Sequence, residues 1–219
     1  MRTECDRLMA FSARRAGIVQ GTDWVRQATY VDRHPSEPSD IKSLNSGKNA
    51  MQEKADTRKL KVYCETTVIG DMTSRPSPLI RNLARQMITR EWWDAMAPQS
   101  EFYVSQLVAI ESARGDDDAA QRRKDFLANL NWLEYGAVAL DLARKFLAAA
   151  AIPETSFDDA THVAIATVSK MDCLATWNCR HINNPQTMPK IITVCEQNGF
   201  KCPLIGTPEQ LKEVYHGND

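Results

Sequence analysis

Hydrophobic and polar positions fall into two regimes along the chain. Through residue 58 charges, Ser, Gln and Asn are mixed without sustained periodicity. The stretches Arg33-His-Pro-Ser-Glu-Pro-Ser-Asp40 and Asn45-Ser-Gly-Lys-Asn49 offer little to bury. Such a segment gains too little from burial to offset the entropy of ordering. Residues 1-58 are therefore expected to be a disordered extension, with Trp24, Val25 and Val31 marking its one candidate helix. A start at Met51 is the alternative explanation for this region. Residues 59-219 are expected to form one folded domain.

Within that domain, short apolar runs alternate with segments of helical period. Lys61–Glu65, Glu101–Ser105, Trp132–Tyr135, Cys173–Trp177 and Cys202–Ile205 read as strands. Leu79–Met96, Gln106–Arg114, Asp116–Leu130, Ala137–Ala151, Asp158–Lys170 and Thr187–Gln197 read as helices, and Thr207-Pro208-Glu209 opens a last one. Pro98, Gly115, Pro153 and Asn198-Gly199 supply the stops. Thr66-Thr67, Ser105 and Ser156 or Thr155 are placed to cap helices. Ile80, Leu83, Ala84, Met87, Ile88 and Trp92 form a stripe expected to face the core, as do Leu107 and Ile110 in the next helix. Strands alternating with helices predict an α/β fold: a three-layer α/β/α domain with a central, mainly parallel sheet.

Composition narrows the function classes. A formal net charge of −1 gives no whole-molecule attraction to nucleic acid, so such binding needs a local patch. Arg81, Arg85 and Arg90, off the apolar stripe, are the candidates, with a solvated face as the plainer reading. The extension is basic, with eleven Lys/Arg against eight Asp/Glu through Lys59, leaving an acidic remainder. Six cysteines sit mostly in apolar runs, as reduced buried thiols do. No secretory signal or membrane-length apolar run is visible, so the expectation is a cytoplasmic protein without membrane contact.

Three acids occupy comparable places. Glu65 ends the first strand, Glu111 lies in the helix after the second, and Asp159 lies in the first turn of a later helix, three residues before His162. Each has a plain structural reading: a solvated strand end for Glu65, a pair with Arg114 for Glu111, a capping box with Ser156 for Asp159. In a parallel sheet with right-handed crossovers, however, all three gather at one edge. Carboxylates meeting there repel unless a hard cation neutralises them, and Mg²⁺ or Mn²⁺ suits an all-oxygen site. No Ser/His/acid triad, phosphate loop or Cys-x-x-Cys pair competes with this reading.

Val62-Tyr-Cys-Glu-Thr-Thr-Val68, Val104-Ser-Gln-Leu-Val-Ala-Ile-Glu111, Asp159-Ala-Thr-His-Val-Ala-Ile-Ala166 and Leu174-Ala-Thr-Trp-Asn178 resemble, in order, the four motifs of PIN domains. The group they most resemble is the VapC-type toxin ribonucleases of type II toxin–antitoxin systems. The resemblance covers about residues 60-206. It implies a PIN-like nuclease domain that hydrolyses RNA phosphodiester bonds with Mg²⁺ or Mn²⁺. Glu65, Glu111, Asp159 and Asn178 would be the catalytic residues, the three acids the metal ligands, and Thr66, Thr176 and His162 accessory groups. The implied partners are an RNA substrate, a cognate antitoxin protein and a second copy in a homodimer. Two departures stand out: Glu65 replaces the usual Asp, and Asn178 replaces the usual fourth acid, which points to one tightly held metal. A non-catalytic interaction module is the alternative.

Overall fold

Five short strands pair in a single sheet among the described residues: Leu60–Cys64 (β1), Ser100–Ser105 (β2), Asn131–Leu133 (β3), Cys173–Ala175 (β4) and Leu204–Gly206 (β5). This is a computed structural model, and it describes residues 58–216. The disorder and the helix expected for the amino-terminal extension lie outside the described residues. All pairings are parallel, in the order β3-β2-β1-β4-β5. The connecting helices are Thr66–Thr73 (α1), Ile80–Met96 (α2), Gln106–Ser112 (α3), Asp117–Leu127 (α4), Ala137–Ala148 (α5), Phe157–Val168 (α6), Met188–Gln197 (α7) and Pro208–His216 (α8). The fold is thus α/β with an all-parallel sheet.

The apolar runs explain the layering. Val62, Tyr63 and Cys64 of central β1 are fully buried, as a parallel strand covered on both faces must be. Helices α1, α2, α3, α4 and α8 pack among themselves, while α5, α6 and α7 form a second packing group. In α6 every residue from Ala160 to Thr167 is buried, so this small-residue helix is sandwiched rather than amphipathic. At the entry edge of the sheet, Asp172 binds the Arg58 guanidinium through two 2.7 Å hydrogen bonds and accepts the Lys61 N–H at 2.8 Å. The starts of β1 and β4 are thereby fastened together.

Several sequence expectations are corrected in detail. The apolar stripe of α2 does not face the core over its first two turns: Ile80 is 85 % and Met87 53 % exposed. The buried positions are Gln86, Thr89, Trp92 and Met96. Gln86 is satisfied by the Ser77 N–H and the Arg75 carbonyl, and Thr89 accepts from the Trp177 indole at 2.8 Å. Ile110 is likewise exposed, not buried. Of the expected caps, Ser105 and Ser156 do occupy N-cap positions, but their hydroxyls are spent on other side chains. Thr66 and Thr67 lie inside α1, behind Glu65 as its N-cap. The Asp116–Asp118 run does open α4, Asp116 accepting the Ala119 N–H at 2.9 Å.

Candidate metal centre and active site

The sheet order places a switch point beside β1. The chain runs outward from β1 to β2 and β3, then crosses back to lay β4 on the opposite side of β1. In open parallel sheets the crevice at the carboxyl ends of such strands is the place for ligands. Glu65 directly follows β1, and Thr176, Trp177 and Asn178 directly follow β4. Glu111 arrives on α3 after β2, and Asp159 and His162 on α6.

Two carboxylates sit at the centre. Glu65 is 4 % exposed and accepts at Oε2 from the hydroxyls of Thr67 and Thr176, the latter at 2.8 Å. It has no ion pair among the described residues. Glu111 accepts at its own Oε2 from the Thr66 hydroxyl and from His162 Nε2, at 3.0 Å for the ring nitrogen. In both carboxylates the side-chain donors converge on one oxygen and leave Oε1 without a hydrogen-bond partner among the described residues. Ligand atoms of Glu65, Glu111 and His162 lie within 4.8 Å of one another.

The electrostatics follow from burial and neighbours. Burial favours a neutral Glu111, but the hydrogen bond and charge of His162, the Thr66 hydroxyl and Arg114 outweigh it and hold its pKa below the ordinary value. Burial disfavours a charged His162, yet the Glu111 hydrogen bond and the fields of Glu65, Glu111 and Asp159 raise its pKa. An ionised Glu111 only accepts, so Nε2 carries the proton in their contact. The other ring nitrogen, Nδ1, lies 2.9 Å from Tyr63 Oη, which lies 2.7 Å from Ser105 Oγ. Burial keeps the Tyr63 phenol un-ionised, far above its ordinary pKa, despite the opposing Ser105 hydrogen bond.

Asp159 heads a second cluster at the rim. Its Oδ1 accepts from Asn178 Nδ2 at 2.9 Å, and its Oδ2 lies 2.7 Å from His181 Nδ1, which also lies 3.0 Å from Ser156 Oγ. The capping box expected between Ser156 and Asp159 is absent because both side chains turn to His181. Asn178 Oδ1 accepts the His181 N–H, and the Asn178 N–H donates to Thr176 Oγ1 at 2.9 Å. Thr176 therefore joins the two clusters, from Glu65 through Asn178 to Asp159. Asp159 is not in the close group of ligand atoms, where His162 takes its place.

The sequence reading missed His181, Tyr63 and Ser105. His181 lies in a loop without periodicity, although its position three residues after Asn178 was an available signal. Tyr63 looked like one more apolar strand residue. Two of the three arginines expected to form a patch are engaged: Arg85 pairs with Asp71 at 2.9 Å and lies 5.0 Å over the Trp177 ring, and Arg90 donates to the Ser74 carbonyl.

The donor set fits a divalent cation. Two buried or half-buried carboxylates each keep one oxygen without a hydrogen-bond partner among the described residues, and the side chains that hold them are three Thr hydroxyls and His162 rather than Lys or Arg. Among the described residues no other group of His, Cys, Asp and Glu qualifies.

No protein-family model matches the chain, and none of the curated proteins does. Among solved structures it is similar to VapBC2 from Rickettsia felis, bound to a DNA fragment from its promoter. That likeness has a TM-score of 0.46 and 13% identity, and covers 68% of this chain and 98% of the other. It is also similar to Mycobacterium tuberculosis VapC20, a Sarcin-Ricin loop cleaving toxin, with a TM-score of 0.41 and 16% identity over 52% of this chain and 86% of the other. No helix among the described residues is long and apolar enough to cross a membrane.

Proposed function

We propose that the chain is a divalent-metal-dependent endoribonuclease, the toxin of a toxin–antitoxin pair. The observation that carries the reading is the pair of carboxylates at the switch point, each saturated at Oε2 and open at Oε1. Glu65 and Glu111 would hold Mg²⁺ or Mn²⁺, with Asp159 as the third acid of the site. Such an ion, when bound, acidifies a water and offsets charge on a phosphodiester. Thr66, Thr67 and Thr176 fix the two carboxylates without neutralising them. Asn178 and His181 hold Asp159 at the rim, where its side chain is 23% exposed and can still accept a hydrogen bond from an attacking water. RNA as the substrate class and an antitoxin as the partner rest on the motif resemblance. The exposed Leu79, Ile80 and Met87 offer apolar surface for a protein partner or a second copy.

A second reading has one observation in its favour. Both oxygens of Asp159 are engaged by Asn178 and His181, as they would be in a module that binds without cutting. One assay separates the two: RNA and single-stranded DNA incubated with Mg²⁺, Mn²⁺ or EDTA, beside Glu111→Gln. Metal-dependent RNA cleavage lost in the variant supports the nuclease. Tight metal binding without cleavage of any of several RNAs supports the module.

A further inference from the structure

Beneath the carboxylates runs a line of polar groups that the proposed chemistry does not use. Ser105 Oγ, Tyr63 Oη and both nitrogens of His162 form an unbroken hydrogen-bond chain of 2.7, 2.9 and 3.0 Å that ends on Glu111 Oε2. Ser105 and Tyr63 are fully buried and His162 is 1 % exposed. Burying three polar side chains costs free energy that apolar residues of similar shape would not, so their place in the core calls for a reason. The chain draws on β1, β2 and α6 and terminates on α3.

We infer that Ser105, Tyr63 and His162 form a buried positioning relay that aims Glu111 at the cation. This inference rests on the metal-dependent reading above. The Nε2–H and the Thr66 hydroxyl both bind Oε2, which restrains rotation of the carboxylate and leaves Oε1, without a hydrogen-bond partner among the described residues, for a cation shared with Glu65. Tyr63 and Ser105 fix the ring in turn. In a neutral ring the Ser105 hydroxyl donates to Tyr63 and Tyr63 donates to Nδ1. In a charged ring the direction reverses, and the line stays intact. His162 is therefore a positioning residue and not a ligand. Outer partners of ligating groups set metal affinity by about 10- to 100-fold, and the relay is such a partner.

The test uses the full chain with Mn²⁺ as the probe, in Tyr63→Phe, His162→Leu and His162→Gln. Calorimetric titration should show Mn²⁺ affinity weakened about 10-fold in Tyr63→Phe and about 100-fold in His162→Leu. His162→Gln, whose amide N–H can still donate to Oε2, should recover most of that loss. At saturating Mn²⁺ the RNA KM should be unchanged. Circular dichroism in EDTA checks folding, and should His162→Leu not fold, Tyr63→Phe and His162→Gln decide. Folded variants that all bind Mn²⁺ like wild type would overturn the relay. So would a directly coordinated nitrogen in the pulsed EPR spectrum of Mn²⁺-loaded wild type, which would make His162 a ligand. If wild type binds Mn²⁺ with the expected variant series but cuts no RNA, the nuclease reading falls and the relay stands. If wild type cuts RNA and the variants bind metal normally, the relay alone falls. If wild type binds no Mn²⁺, both fall.

Discussion

The Thr176 hydroxyl donates to Glu65 Oε2 across 2.8 Å, tying the turn after β4 to the end of β1. Its oxygen also receives the Asn178 N–H, so one buried hydroxyl orients a carboxylate and the loop that carries Asn178. Thr176→Val keeps the shape and removes both functions. It should cost about 1–3 kcal/mol in urea denaturation, because a buried carboxylate loses a donor. Thr176→Ser should cost much less. Equal losses for Val and Ser would mean that packing of the methyl group, not the hydrogen bond, matters here.

Glu65→Gln removes charge from the centre while keeping acceptors for Thr67 and Thr176. Without metal, in EDTA, its melting temperature should equal or exceed that of wild type, since it relieves repulsion with Glu111. The stabilisation that Mn²⁺ gives wild type, about 2.7 kcal/mol at a hundredfold excess over Kd, should be largely lost. Cleavage should fall below detection. Undiminished stabilisation by Mn²⁺ would place the cation elsewhere.

Asn178→Asp puts a second carboxylate where an amide N–H now meets Asp159 at 2.9 Å. One of the two acids must then take up a proton or a cation. The variant should lose about 1–3 kcal/mol relative to wild type at pH 8 in EDTA. The deficit should shrink as pH falls and close when Mn²⁺ is added. A deficit independent of pH would show that the two side chains separate instead of sharing charge.

The contact between Glu111 and His162 makes a signed prediction about pH in metal-free protein. His162 has its pKa raised by folding, so its contribution is complete below about 6.5 and is lost as pH rises through the folded value. Glu111 has its pKa lowered, so its contribution is complete above about 4.3 and is lost as pH falls through the folded value. The pair stabilises most between those limits. In EDTA, the stability difference between wild type and His162→Gln should be larger at pH 5.5 than at pH 8.5, measured by urea unfolding. A constant difference would contradict the ion pair.

Much of this arrangement was legible in the sequence, for identifiable reasons. Parallel strands buried on both faces leave unbroken apolar runs, so Val62–Cys64 and Cys173–Ala175 announce themselves. Acids directly after such runs, Glu65 above all, have no packing explanation and invite a chemical one. Helical period does not tell which end of a stripe is covered. That is why Ile80 and Met87 are exposed while Gln86 and Thr89 are buried with hydrogen bonds to residues outside their own helix. Partner choice is equally hidden: Ser156 and Ser105 sit at cap positions, yet a histidine and a tyrosine from other elements claim their hydroxyls. The place of Asp159 in the first turn of its helix was legible, but the hold that Asn178 and His181 have on it was not.

The two ends of the Glu65–Thr176 bond lie 111 positions apart in the chain, and they meet only through the pairing of β1 with β4. A growing polypeptide that has left the ribosome as far as α5 already contains Glu65 and Glu111, but neither β4 nor the loop that completes the crevice. Distant pairings of this kind are the late and slow steps of folding. The chemistry proposed here would thus be withheld until synthesis of the domain is nearly finished.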